Sequence, residues 1–151
     1  MTRRADLLTI CILALVMAGC TSGKMESKEG NVKVTLPHRS DTVTFVKQAD
    51  GSWKGSIRTT GSARAFEATV SWEASRTITS GVATLGQGSF MTSAGAPEYG
   101  TFDQTLTLVS AAADPSPAGT GTLRIFIARM KNGSQPDILD IPLTHQTAPY
   151  T

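Results

Sequence analysis

The stretch of residues 61–73 constrains the fold more than any other part of the chain. Its apolar residues occupy every second position: Phe66, Ala68, Val70 and Trp72. The positions between them are polar: Glu67, Thr69 and Ser71. A period of two is the pattern of a β-strand with one buried face and one solvated face. We therefore predict a central strand here whose inward row ends in Trp72.

The rest of the chain from Thr42 onward also consists of short β-rich runs separated by turn signals. No window shows the 3.6-residue period of an amphipathic helix. Asp50-Gly51, Ser80-Gly81 and Asn132-Gly133 are typical of tight turns, whereas Gly86 and Gly88 indicate bulges or bends within a strand. Pro142 indicates an edge strand. About seven strands at intervals of about ten residues predict an all-β fold, a single antiparallel β-sandwich.

We expect inward-facing rows in four other predicted strands, one before and three after the central strand. The members of each row are two or four positions apart, and all are apolar except for the glycine in the first row. The rows are Trp53, Gly55 and Ile57; Phe102, Leu106 and Leu108; Leu123, Ile125 and Ile127; and Leu139, Ile141 and Leu143.

The first 19 residues have the features of an export signal. Arg3 and Arg4 precede an apolar run that extends from Leu7 to Gly19. As a helix, these thirteen residues would reach about 20 Å, which is short of the roughly 30 Å hydrocarbon core of a membrane. A basic start, a short apolar segment and small residues at its end predict a secretory signal peptide over residues 1–19.

The signal is followed directly by Cys20. The motif Met17-Ala18-Gly19-Cys20 resembles the lipobox of bacterial lipoproteins, which implies that Cys20 becomes the lipidated first residue of the mature chain. This predicts a membrane-anchored lipoprotein at the cell surface or on the periplasmic face of the envelope. The alternative is ordinary cleavage near Ala18, which would leave Cys20 as a free thiol.

The segment of residues 20–40 is polar and mixed in charge. Such a composition predicts a flexible tether between the lipid and a domain at residues 41–146. The alternative is an early edge strand over residues 32–36. Since Cys11 lies in the signal, the mature chain keeps one cysteine and forms no intrachain disulfide. Its 12 Lys and Arg nearly balance 11 Asp and Glu and are scattered singly, which argues against a nucleic-acid partner.

Four ordered segments resemble a known family, the immunoglobulin-like domain of bacterial spore germination proteins. They are GSARAFEATV (61–70), TSAGAPEYGTF (92–102), GTGTLRIF (119–126), and KNGS (131–134) followed by Ile141-Pro142. The resemblance implies an immunoglobulin-like sandwich, an envelope setting and a connection to sporulation or germination. It implies no enzyme activity, because the family supplies no catalytic residues to transfer.

The most suggestive binding residues lie in the loop of residues 94–100. Pro97 stiffens this loop, Glu98 adds charge and Tyr99 supplies an amphipathic ring, a combination suited to gripping a partner. Arg64 and Glu67 on the wet side of the predicted central strand are further candidates. The alternatives are that Tyr99 covers the end of the core and that Arg64 and Glu67 form ordinary surface ion pairs.

Motifs for catalysis or metal binding are lacking in the sequence. His38 and His145 are far apart, and neither an HExxH nor a GxSxG motif occurs. Asp114, Asp137 and Asp140 carry the oxygen ligands that calcium prefers, but they lack EF-hand spacing and are more typical of turns and strand edges. We therefore predict no catalytic residues, no metal and no cofactor.

These observations predict an envelope lipoprotein whose immunoglobulin-like domain is a non-catalytic interaction module. Its expected partners are the membrane, through the lipid on Cys20, and an envelope protein or cell-wall glycan. One alternative is a small carrier or sensor that binds an apolar ligand between the sheets, in a pocket of about 300 Å³ or more lined by Phe and Leu. A hydrolase would instead require a histidine beside a serine and a carboxylate.

Overall fold

The computed structural model describes residues 23–128 and 136–149, and almost every segment of this part is a strand or a turn. The all-β prediction is confirmed, but the described residues form nine strands rather than about seven. The strands are β1 (Met25–Glu26), β2 (Val32–Leu36), β3 (Thr42–Lys47), β4 (Trp53–Ala63), β5 (Thr69–Ile78), β6 (Gly81–Met91), β7 (Gly100–Ser110), β8 (Gly119–Ile127) and β9 (Asp137–Thr147).

The strands form two layers, which we call the front and back sheets. The front sheet has the order β1-β2-β4-β7 and is antiparallel throughout. The back sheet has the order β9-β8-β5-β6, also antiparallel. Strand β3 joins the two layers, because Thr42 to Phe45 pair in parallel with β9 while Val46 and Lys47 pair with β4.

The core lies between the two sheets and is built from the predicted alternating rows. Of the rows expected in β4, β7, β8 and β9, every apolar member is buried, and all of them belong to one cluster. Gly55 is buried as well, and a Cβ there would lie 2.9 Å from Val43 Cγ1. Burial of each large apolar side chain contributes roughly 1.5–3 kcal/mol, so these rows supply most of the driving force for folding.

The prediction for residues 61–73 needs a correction at its N-terminal half. Phe66–Ala68 form a 3-10 turn rather than strand, and Glu67 and Ala68 have φ values of 55° and 56°. Phe66 is 43% exposed. The physical reason is that β4 ends in the front sheet and β5 begins in the back sheet, so residues 64–68 must cross between layers about 10 Å apart. The inward row of β5 is Val70, Trp72 and Ala74.

Trp72 is accommodated by two glycines on the neighbouring strand β6. A Cβ on Gly86 would lie 3.0 Å from Cη2 of Trp72, and one on Gly88 would lie 3.1 Å from its Nε1. Ala74 pairs with Gly86 while Ser75 pairs with Thr84, which leaves one extra residue on β6. The bulge predicted at Gly86 is therefore present, and both glycines also make room for the indole.

The assignment of residues 20–40 to a flexible tether is also corrected for its described part. Strand β2 pairs with β4, and Val32 and Val34 are both fully buried. Strand β1 covers the outer side of β2 through the pairs Met25–Val34 and Glu26–Lys33. The alternation of Val32, Val34 and Leu36 overrides the polar composition around it, so the fold begins at Met25.

The prediction of an edge strand at Pro142 holds for only part of β9. Pro142 lies in a part of β9 that pairs with β8 on one side, whereas β3 pairs only with Thr144 to Thr147. The proline is therefore tolerated beyond the reach of β3, although β9 is not an edge strand over its whole length. The Asn132-Gly133 turn and Cys20 lie outside the described residues.

The burial of β2 makes a direct prediction. Val34→Ala should lower the free energy of unfolding by about 2 kcal/mol, because it leaves a cavity in the core. Val82→Ala is the matched control, since Val82 is 70% exposed and its change should stay within about 0.5 kcal/mol. Urea unfolding of both variants measures this, and equal stabilities would show that the segment before Thr42 does not belong to the folded domain.

Candidate functional site

Three connections meet at one end of the sandwich, which we call the Tyr99 end. They are the β1–β2 loop (residues 27–31), the crossing segment (residues 64–68) and the β6–β7 loop (residues 92–99). The amide of Arg64 donates to the carbonyl of Asn31 at 2.8 Å, and the amide of Ala96 donates to the carbonyl of Ala65 at 2.8 Å. Backbone hydrogen bonds thus hold the three connections together.

Tyr99 lies across this junction. Its hydroxyl donates to the carbonyl oxygen of Gly30 at 2.8 Å. The Nζ of Lys33 lies 4.7 Å and the Cζ of Arg64 lies 5.4 Å from the centre of its ring. Both distances are within the range of cation–π attraction. Tyr99 therefore clamps the β6–β7 loop onto the β1–β2 loop while remaining 40% exposed.

The other predicted binding residues lie around this clamp. Arg64 donates from Nε and Nη2 to Oδ1 of Asn31 at 3.0 and 2.9 Å, so its side-chain partner is Asn31 rather than Glu67. Pro97 and Glu98 are exposed beside Tyr99, and Glu67 is exposed in the crossing segment. The structure thus places all five predicted residues at one end of the domain, with Arg64 and Tyr99 in contact.

A buried carboxylate at a strand start, where the sequence indicates a structural role, holds the β1–β2 loop against the sandwich. Asp137 at the start of β9 accepts hydrogen bonds from Ser27 Oγ at 2.7 Å and from the amides of Asn31 and Glu29, each at 3.1 Å. Burial alone would raise the pKa of Asp137, but these hydrogen bonds together outweigh it and lower the pKa below its usual value.

The two other aspartates that carry candidate calcium ligands, Asp114 and Asp140, have separate protein partners. Asp114 accepts hydrogen bonds from Arg76 and Ser110 at the opposite end of the sandwich. Asp140 forms a two-bond pair with Arg124 on the outer face of the back sheet, at 2.8 and 3.0 Å. Within residues 23–128 and 136–149, no three His, Cys, Asp or Glu side chains are close enough together to hold a metal ion.

The histidines also occupy separate environments. His38 lies 3.6 Å from the carboxylate of Asp41. His145 is buried against Phe45, and among residues 23–128 and 136–149 neither of its ring nitrogens has a hydrogen-bond partner. Burial, and secondarily the charge of Arg76, lowers the pKa of His145 below its usual value. Its ring is therefore neutral at pH 7 and serves as a core side chain.

A second candidate surface is a shallow depression on the outer face of the back sheet, with a volume of about 380 Å³. Strand register places Ser71, Ser89 and Phe126 side by side, with Glu73 and Gln87 in the next row. Phe126 forms an aromatic wall of this depression. We call this surface the Phe126 depression. It was missed from the sequence, where the available signal was an apolar residue on the solvent face of β8.

Two further cavities lie on the front side of the molecule. One, of about 340 Å³, is lined by polar side chains of neighbouring strands, including Lys33, Ser62, Thr101 and Asp103. The other, of about 390 Å³, lies near the β2–β3 connection and is lined by Pro37, Asp41, Arg58 and their neighbours. All three cavities are lined mainly by outward-facing residues, whereas a carrier for an apolar ligand needs a cavity between the sheets.

Comparison with known families places this architecture. Residues 31–134 match the immunoglobulin-like domain of bacterial spore germination. The chain belongs to this family. Membership of this family agrees with the all-β fold of the described residues. Domains of the family are typically non-catalytic. No match was found to an individual curated protein. In the part of the chain that the structure describes, no helix is long and apolar enough to cross a membrane.

The carboxylate of Asp137 gives a pH-dependent prediction. Because its pKa is lower in the folded state, its contribution to stability is complete above the usual pKa of 3.8 and is lost as the pH falls through the folded value. Asp137→Asn should lower the free energy of unfolding by about 2 kcal/mol at pH 7. The difference from wild type should shrink when unfolding is measured at progressively lower pH.

The control for this prediction is Asp140→Asn, which removes an exposed ion pair and should cost less than about 1 kcal/mol. If the Asp137→Asn deficit were the same at pH 7 and at pH 3, the ionised carboxylate would not be what holds the β1–β2 loop.

Proposed function

We propose that this protein is an envelope lipoprotein, lipidated at Cys20, whose immunoglobulin-like domain is a non-catalytic module that binds a cell-wall glycan or an envelope protein. The Met17-Ala18-Gly19-Cys20 motif supports the anchor, and the family supports the non-catalytic module and a setting related to germination.

The Phe126 depression is the observation that carries the binding function. A sugar ring presents an apolar C–H face, which suits an aromatic wall, and hydroxyl groups at its edge, which need hydrogen-bond partners. Ser71, Glu73, Gln87 and Ser89 surround the depression with such groups. Ligand sites combine apolar contact with a few convergent polar groups in this way. The depression therefore favours a glycan over a protein as the partner.

The placement of the polar residues supports a binding module rather than a hydrolase. Ser27 lies beside Asp137 and Ser110 beside Asp114, yet the buried ring of His145 packs against Phe45. A serine nucleophile needs a histidine within hydrogen-bond reach to remove its proton. The serine–carboxylate pairs instead hold loops onto strands.

The anchor is tested by a single substitution. Cys20→Ser should move the protein from the membrane fraction to the soluble fraction, because the acyl chains that supply roughly 0.8 kcal/mol per buried CH₂ are no longer attached. Ser22→Ala is the control and should remain with membranes. Immunoblots of salt-washed fractions measure the distribution, and retention of the Cys20→Ser protein in the membranes would overturn the anchor.

The glycan site is tested by paired double variants. Glu73→Ala with Gln87→Ala should weaken co-sedimentation with insoluble cell-wall glycan by about tenfold or more, a loss of about 1.4 kcal/mol. The control, Thr105→Ala with Thr107→Ala, removes polar groups from the outer face of the front sheet and should bind like wild type.

A further variant tests the aromatic wall. Phe126→Leu keeps an apolar side chain but removes the flat ring, so it should bind less glycan than wild type at unchanged stability. If all these variants sediment equally, the Phe126 depression is not the glycan site. A protein that cross-links to wild type in intact cells, but not to the Glu73 and Gln87 variant, would identify a protein partner there instead.

A further inference from the structure

The back sheet ends in a long strand, β6, that has a partner on one side only. Among residues 23–128 and 136–149, β6 pairs with β5 and with no other strand. The opposite edge of this sheet is partly covered, because β3 pairs with β9. In the front sheet, β1 likewise covers β2. A free edge presents a row of backbone N–H and C=O groups that can pair with the strand of another chain.

Strand β6 lacks two of the usual features that protect a free edge. Its eleven residues, Gly81–Met91, include no charged residue and no proline. The front sheet also ends in a long strand, β7, but β7 carries Asp103 in an ion pair with Arg58. Charged side chains and prolines on an edge oppose the addition of a further strand. The edge of β6 is therefore the less protected of the two.

The outer face of β6 is exposed and is interrupted by the bulge described above. Val82 and Thr84 precede the bulge, and Gln87, Ser89 and Met91 follow it. These five residues pair with every second residue of β5, so they share one face and one hydrogen-bonding direction. The two parts of the strand on either side of the bulge are therefore both able to pair regularly with an added strand.

The exposed apolar side chains of β6 lie at its two ends. Val82 is 70% and Met91 is 62% exposed, the highest values among the large apolar side chains that the structure describes. If two copies of β6 pair antiparallel with Val82 opposite Met91, Thr84 lies opposite Ser89. Twofold symmetry forms each of these contacts twice. One register thus pairs apolar with apolar and hydroxyl with hydroxyl, and it brings no like charges together.

The bulge favours a second copy of this chain over an unrelated strand. On the β5 side, the extra residue of β6 shifts the register between Ala74 and Ser75. A regular strand added on the free side would meet the same shift. A second copy of β6 carries its own extra residue beside the first, so both halves of the contact keep one register.

We propose that β6 is a self-association edge, through which two copies of this chain pair antiparallel and join their back sheets into one continuous sheet. Val82 of each copy lies opposite Met91 of the other, and Thr84 lies opposite Ser89. The pairing depends on neither the lipid on Cys20 nor the glycan site.

The pairing also has a consequence for the glycan site, and this consequence rests on the proposed function. The twofold axis is perpendicular to the joined sheet, so both Phe126 depressions lie on the same face. Five strand spacings separate the two Phe126 side chains, which is about 24 Å. A long glycan chain that occupies both depressions would bind more tightly than one held by a single depression.

Charge exchange tests the register in the full chain, with Cys11→Ser and Cys20→Ser in every protein and the same mild detergent throughout. Sedimentation equilibrium of this parent should show a monomer–dimer equilibrium with a Kd of about 100 µM or tighter. Val82→Lys with Met91→Lys places like charges opposite each other and should raise the Kd at least about tenfold. Val82→Lys with Met91→Glu places opposite charges together and should return the Kd to within about threefold of the parent value.

Two controls accompany this exchange. Within one chain, residues 82 and 91 are about 30 Å apart, so a direct interaction between the new charges does not arise in the monomer. Ser56→Lys with Thr144→Lys adds the same charge at exposed positions of β4 and β9 and should dimerise like the parent. Urea unfolding of each variant establishes that folded proteins are compared.

Disulfide formation tests the same register independently. In the proposed dimer, the Cβ atoms of residues 84 and 89 from different copies are about 5 Å apart. Thr84→Cys with Ser89→Cys should therefore form a disulfide-linked dimer on mild oxidation, whereas within one chain these positions are about 16 Å apart. Thr101→Cys with Thr107→Cys is the matched pair on the other long edge, β7, and should remain monomeric.

The outcomes separate this inference from the proposed function. A parent that stays monomeric, or equal Kd values for the Lys–Lys and Lys–Glu variants, would overturn the pairing. Cross-linking through residues 101 and 107 instead of 84 and 89 would assign the contact to β7 and also overturn it. A monomer that still binds glycan through the Phe126 depression would leave the proposed function intact, whereas a dimer without glycan binding would do the reverse.

Discussion

The hydrogen bonds that Asp137 accepts hold the N-terminal segment of the domain against the rest of the sandwich. They connect the start of β9 in the back sheet to Ser27 and Asn31, and so join the β1–β2 loop to the sandwich. Asn31 in turn positions Arg64, and Arg64 and Lys33 position the ring of Tyr99. A buried carboxylate needs such donors to remain charged. One carboxylate therefore organises the whole Tyr99 end.

The parts of the fold that the sequence predicted are those set by local alternation. The rows ending in Ile57, Leu108, Ile127 and Leu143 face the core as expected, because a period of two leaves one choice of face once a strand exists. The same rule failed at Phe66. Alternation already begins at residues 66–68, where the chain is still crossing from one sheet to the other. A period of two carries no information about where a strand begins or ends.

The candidate sites were harder to predict because they depend on strand register. Ser71, Gln87 and Phe126 come from three strands and become neighbours only through pairing across the back sheet. Tyr99 was recognised as a notable residue from its loop, but its partners Gly30 and Lys33 lie in the segment that composition assigned to a tether. The polar residues around Val32 concealed two buried valines, and with them the true start of the domain.

This early start of the domain sets the length of chain that precedes the fold. While β1 and β2 are paired, the fold begins five residues after Cys20, and five residues span at most about 18 Å. If both strands separated from β4, the free chain would extend to about Thr42, with a typical reach of about 25 Å and no fixed direction. The hydrogen bonds from Ser27 and Asn31 to Asp137 oppose this separation. The contacts that complete the front sheet therefore also determine where the folded domain begins.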